Sequence, residues 1–153
     1  MRAVMGNFAA GVTVVTLPEP HHGITVNAFA SVSLDPPLVL ICIDHDTESH
    51  ERLADGATGY CVNVLAGDQR HLGEHFARMA DHGDPFAEEA TRTEVTGAPV
   101  FEESLAFLDC SLHEAVEAGD HTIYIGEVEA AETLRPEAPA LTYFRGEWGA
   151  LGE

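Results

Sequence analysis

His71-Leu-Gly-Glu-His75 is the stretch closest to known reactive machinery. Two imidazoles four residues apart with a carboxylate between them match the H-x-x-E-H pattern, in which one helical turn presents two metal ligands. The surroundings argue against that chemistry. Gly73 weakens the helix such a site needs, and no downstream carboxylate is tied to a second helix as third ligand. A solvated helix face is the expectation. Among the other histidines, His21-His22 falls in a turn, His45 and His50 flank a short helical stretch, and His113 sits in a strand. None forms a spaced ligand cluster, so no metal is expected. Cys42, Cys61 and Cys110 each lie inside an apolar run and read as reduced core residues of a cytoplasmic protein. No Ser-His-Asp or Cys-His arrangement can be assembled. Asp120-His121 sits at a hairpin tip, where a structural turn is the default. There is neither a G-x-G-x-x-G nor a Walker loop, so Rossmann and P-loop chemistry are unsupported.

What remains is binding rather than covalent chemistry. From Gly23 to Leu34, Ile24, Val26, Ala28, Ala30, Val32 and Leu34 alternate with Thr25, Asn27, Phe29, Ser31 and Ser33. That period predicts one long strand with a buried even face. Its odd face carries hydroxyls and an amide but no carboxylate, in a chain with 26 acidic residues. Small neutral donors and acceptors suit close approach of a planar polar ligand. Thr47 or Ser49 can cap a short helix ending at Gly56, whose free N–H groups favour a phosphate. A ligand groove and an ordinary exposed strand fit these residues equally.

The elements that must position this strand follow from local pattern. Residues 1–10 predict a short helix, Val12 to Leu17 a β-branched strand, 38–44 a continuously buried strand, and 58–66 another strand. Residues 68–80 predict a helix with Leu72, Phe76 and Met79 on its inner face. Residues 81–100 read as a surface excursion, and 105–117 with 122–133 as the arms of a long hairpin. Residues 141–148 predict the last strand. Together these imply an antiparallel barrel with helices at its ends, in one domain over 1–153.

All seven basic residues are arginine, and the formal net charge is −19. Nucleic acid and anionic membranes are therefore excluded as partners. Salt screens such self-repulsion, so a halophilic source is expected. No signal-peptide pattern or membrane-length apolar run is present.

Five motifs stand in one order and spacing: MGNFAAGVTVVT, TVNAFASVSLDPPLVLICID, GYCVNVLAGDQRHLGEHFA, GDHTIYIGEVEA and YFRGEW. Over nearly its whole length the chain resembles the short-chain flavin reductases, flavin-reductase-like proteins of the FMN-binding split-barrel fold. The resemblance implies a mainly β protein with short helices, a Greek-key antiparallel split β-barrel, forming a homodimer with flavin near the interface. It implies NAD(P)H-dependent transfer of a hydride from NADH or NADPH to FMN or FAD. The reduced flavin would pass to a separate flavin-dependent monooxygenase. A flavin-binding protein serving as electron carrier or flavin store, without efficient NAD(P)H oxidation, is the alternative.

Carried over by position, Asn27, Ala28, Phe29 and Ala30 would line the isoalloxazine, with Ser33 on the same strand face. Asp44, Thr47, Ser49 and His50 would hold the ribityl and phosphate groups, and Phe76, Ala77 and Arg78 would approach the flavin. His121, Tyr143 and Arg145 would meet the nicotinamide, His121 being the one catalytic assignment. Because the cofactor itself accepts hydride, a missing triad is consistent with this chemistry. Three departures stand out. The phosphate loop, Asp44 to Ser49, lacks the Arg or Lys common in the family. Gly73 replaces a common Ser, and Trp148 stands where Tyr is frequent. The chain starts close to the family's first helix, so a short leader is expected before it.

Overall fold

The computed structural model describes residues 1–152. After a one-turn helix α1 (Arg2–Met5) come β1 (Ala10–Gly11), β2 (Thr13–Leu17), β3 (His22–Val26), β4 (Phe29–Leu34) and β5 (Pro37–Asp44). Then follow α2 (Glu48–Ala54), β6 (Gly59–Val64), a 3-10 turn (Gly67–Gln69), α3 (Arg70–Phe76) and α4 (Pro85–Glu88). The chain closes with β7 (Thr91–Thr93), β8 (Pro99–Phe101), β9 (Ala106–Ala118), β10 (His121–Thr133), β11 (Ala140–Phe144) and β12 (Glu147–Leu151).

Seven strands form one antiparallel sheet in the order β3-β2-β6-β9-β10-β5-β4. β3 and β4 are consecutive in sequence yet occupy its opposite edges. The sheet curls until Asn27 and Ala28 bridge the two edges, but β3 and β4 exchange no ladder, so the barrel stays split. The long hairpin of β9 and β10 supplies the sheet's middle, its arms agreeing with the sequence reading to within a residue or two.

Two cores flank β2, which is why all five of its residues are buried. Val15 and Leu17 point into the barrel with Ile41, Ile43, Tyr60, Val62 and Tyr124. Val12 and Val14 face outward and pack under α3 and β11 with Leu65, Leu72, Phe101 and Leu141. A polar group buried without a partner costs about 1–3 kcal/mol, and β2's hydroxyls avoid this. Thr13 donates to the Val26 carbonyl at 2.6 Å and Thr16 to the Pro99 carbonyl at 2.6 Å.

Several expectations are corrected. The single strand over 23–34 is two strands. Beyond the break its even face is not core: Val32 sits opposite no residue in a bulge, and Leu34 is 93% exposed. β5 is buried on one face only, with Val39, Ile41 and Ile43 inward and Leu40 and Cys42 on a half-open face. The helix over 68–80 ends at Phe76, so Met79 is exposed rather than inward. Residues 81–97 lie mostly at the surface as expected, with Pro85 buried, but the stretch ends in the core. Ala98 and Val100 form a third core cluster with Cys61 and Phe107, and Asn63 holds β8 by accepting from the Phe101 amide at 2.9 Å. The last strand is a hairpin: Arg145 (φ 53°) and Gly146 (φ 77°) both take the left-handed region, the requirement of a two-residue turn between twisted strands. β11 pairs with β1 and β12, forming a three-stranded sheet beside the barrel.

Candidate functional site

The break in the strand creates the first half of the site. At Asn27–Ala28 the backbone leaves one edge for the other, with Phe29 N–H on the Asn27 carbonyl at 3.0 Å and Cys42 N–H on the Ala28 carbonyl at 3.1 Å. Asn27, Ala28, Phe29 and Ala30 thereby line a cleft of about 510 Å³, in the range of small-molecule sites. Leu40 and Cys42 form its floor, while Met5 and Phe8 come from the N-terminal segment. Burial pushes the Cys42 thiol up, so it serves as neutral wall rather than nucleophile. Tyr143 and Arg145 reach the same cleft from β11 and its turn. Arg145 is fixed there: its Nε donates to Asn7 Oδ1 at 3.0 Å, and its guanidinium lies 4.7 Å from the Phe144 ring centroid. Trp148 holds Tyr143 edge-on at 4.9 Å.

The same run of chain, one strand earlier, lines a second cleft of about 400 Å³. Its walls are His22 to Thr25 of β3, Asp46 to Ser49, and Phe76, Ala77 and Arg78 at the end of α3. Thr25 Oγ1 donates to the Gly73 carbonyl at 2.7 Å and so fastens α3 beside β3. Of the two caps the sequence allowed, Thr47 is the one used, accepting from the His50 amide at 3.1 Å while donating to the Asp44 carbonyl at 2.8 Å. Its hydroxyl proton is therefore committed. Ser49 is fully buried in the wall and bonded to His22 Nε2 at 2.9 Å. Arg78 is the cation of this cleft and enters no ion pair among the described residues. Its φ of 59° is uncommon for a non-glycine residue, and such strain concentrates at functional sites.

The remaining residues proposed from sequence lie elsewhere. Asp44 opens the turn into α2 by accepting from the Asp46 amide at 2.8 Å, and it pairs in register with His121. His121 lines neither cleft; its Nδ1 sits 2.7 Å from Asp120 Oδ1, a bond that holds the Asp120 carboxyl below its usual range. His50 turns to a separate cleft of about 450 Å³, where its Nδ1 meets the Tyr124 hydroxyl at 2.7 Å. Ser33 follows the β4 bulge, paired with Leu38, and lines neither cleft. The H-x-x-E-H residues are separately engaged: His71 with Glu89, Glu74 with Arg70 and His82, and His75 with the His82 amide. Among the described residues no group of three or more His, Cys, Asp or Glu could hold a metal ion.

Sequence reasoning missed His22, Leu40 and Cys42. His22 reads locally as a turn residue, and only the β2–β3 register brings it to α2. Leu40 and Cys42 were hidden by a run that looked buried on both faces; no local signal distinguishes the half-open one.

Comparison with known proteins bears on this geometry. A family model described as the flavin reductase like domain matches residues 5–152. The chain is 44% identical over 139 residues to an NADH-dependent FAD reductase of Streptomyces globisporus, covering 86% of this chain and 74% of that protein. It is 33% identical over 153 residues to the reductase subunit HsaB of a flavin-dependent monooxygenase from Mycobacterium tuberculosis, covering 98% and 80%. Among solved structures, BorF, the flavin reductase component of a bacterial two-component tryptophan halogenase, superposes with a TM-score of 0.90. That pair is 37% identical and covers 99% of this chain and 96% of the other.

Proposed function

This chain belongs to the flavin reductase-like family, and from that premise we propose that it is an NAD(P)H-dependent flavin reductase. The observation that carries the reading is that one continuous segment, His22 to Ala30, lines both clefts in succession. One cleft is largely apolar and suits a ring system; the other is polar, holds Arg78, and suits a phosphate. FMN and FAD have these two ends. The arginine absent from the 44–50 loop is supplied by Arg78, at the end of α3.

The flavin, when bound, supplies the hydride-accepting chemistry. The protein's own part is positioning. Asn27 to Ala30 shape the ring slot and present backbone groups to its edge, and Leu40 and Cys42 exclude water beneath it. Tyr143 and Arg145 stand at the mouth, where a nicotinamide would enter, with Arg145 held by Asn7 so that its charge stays in place. His121, near the end of β5, is assigned to the nicotinamide rather than to the flavin.

The reading includes one flavin-binding domain over the whole chain, a homodimer, a separate flavin-dependent monooxygenase as recipient of reduced flavin, a cytoplasmic location and a halophilic source. Self-association is supported by Val4, Met5, Phe8, Val32 and Leu34, large apolar side chains exposed on α1, the segment after it, and β4. Among the described residues no helix is long and apolar enough to cross a membrane. Anaerobic stopped-flow mixing of flavin-loaded protein with NADH or NADPH tests the activity. Bleaching of the visible flavin band is expected with at least one of them; persistence of the band with both leaves only a carrier or store.

A further inference from the structure

The phosphate cleft contains a residue that neither hydride transfer nor ring binding uses. His22 stands between Ser49 and Glu48, its Nε2 2.9 Å from Ser49 Oγ and its Nδ1 3.3 Å from Glu48 Oε2. Ser49 Oγ accepts from the protonated ring, and the Glu48 carboxylate beside Nδ1 stabilises its charge. The neutral ring is satisfied as well, because in the Nδ1–H tautomer the free Nε2 accepts from the Ser49 hydroxyl. The two states differ in where the Ser49 proton points. In the neutral state it is spent on His22; in the protonated state His22 donates to Ser49, and that hydroxyl proton is released. Thr47 has no proton to offer, since its own goes to the Asp44 carbonyl.

We infer that His22 is a positioning residue that couples anion binding in the Thr47–Arg78 cleft to uptake of one proton from solvent. A bound phosphate attracts the proton through space across the cleft that His22 lines, while Ser49, fully buried behind it, serves as acceptor of the protonated ring. Charged groups around the ring set the balance. Glu48 of α2 favours the proton, while Arg52 of α2 and Arg78 after α3 oppose it. Asp46 lies in the same cleft, and His21, His75 and Asp81 line the adjoining one. Burial holds His22 below its ordinary value of 6.5 in the free protein, so the ring starts neutral near pH 7. An anion beside it offsets Arg78 and shifts the ring toward the charged form.

The inference rests on the flavin reading, and riboflavin, which lacks the phosphate, separates the two. FMN and riboflavin are titrated calorimetrically into the full chain in two buffers of different ionisation heat. FMN binding is expected to take up protons near neutral pH, and riboflavin binding to take up none. The ratio of FMN to riboflavin affinity should fall by up to about tenfold per pH unit between the free and bound values of His22, then level off above the latter. His22→Gln should abolish net proton uptake, leaving only the small release expected of a phosphate bound beside Arg78. Ser49→Ala, which removes one acceptor of the protonated ring, should also lose uptake, and it carries the test if His22→Gln does not fold. Equal proton uptake by wild type and both variants overturns the coupling. Failure of both flavins to bind removes the flavin reading and the coupling with it.

Discussion

Gly73 and Trp148, two of the departures read from the sequence, meet in space. A Cβ built on Gly73 would stand 2.9 Å from Cη2 and Cζ3 of Trp148 and 3.5 Å from a Leu141 methyl. The larger ring occupies the room a side chain at 73 would need. Gly73→Ala therefore sets two effects against each other. Replacing Gly inside a helix stabilises by about 1 kcal/mol. Over-packing costs about 1–3 kcal/mol, and retreat of the indole is resisted by Tyr143 at 4.9 Å and by Arg70 at 5.8 Å. The balance is a loss of about 1 kcal/mol, a Tm drop of about 2–4 °C for a chain this size. Trp148→Tyr alone leaves a void and costs about 1–2 kcal/mol. In the double variant the new methyl fills that void, so the combined loss should fall short of the sum by about 1 kcal/mol or more. Thermal or urea unfolding of the four proteins measures this directly. A rise in Tm for Gly73→Ala alone, or additivity within about 0.5 kcal/mol, refutes the packing argument.

Other outcomes follow from the same structure. His121→Ala should slow flavin reduction in stopped flow while leaving flavin affinity nearly intact; a parallel loss of affinity would reassign the residue to the flavin site. Asp109 is fully buried and accepts from the Val95 amide at 2.8 Å, the Thr96 amide at 2.9 Å and the Thr96 hydroxyl at 2.6 Å. Asp109→Asn turns an amide N–H₂ toward those donors and should cost about 1–3 kcal/mol, read as a lower denaturation midpoint; an unchanged midpoint would show that the loop re-pairs freely. With a formal charge of −19, activity should rise along a potassium chloride series as screening grows, whereas best activity in low salt would argue against a halophilic origin.

Much of the architecture was legible locally. The β-branched run of β2, the long arms of β9 and β10, and the start of α2 at one of two candidate caps depend on neighbours within a turn or a pleat, and each stands where pattern put it. The segment from Gly23 to Leu34 was half legible. Its freedom from charge singled it out, but its strict alternation concealed the break at Asn27–Ala28. A period-two pattern runs unchanged through a corner, because alternation records which way side chains point and not which strand lies alongside.

Sequence by itself determined the β2 run, the long β9–β10 hairpin, the start of α2, the acidic composition and a small neutral stretch fit for a ligand, all set by residues close together in the chain. Tertiary structure alone decided that β3 and β4 part to opposite edges and that Pro99–Phe101 is core. It also decided that Trp148 answers Gly73, and that His22 stands between Ser49 and Glu48. Each of these joins positions distant in sequence, where close packing and sheet register choose the partner and no local propensity carries the information.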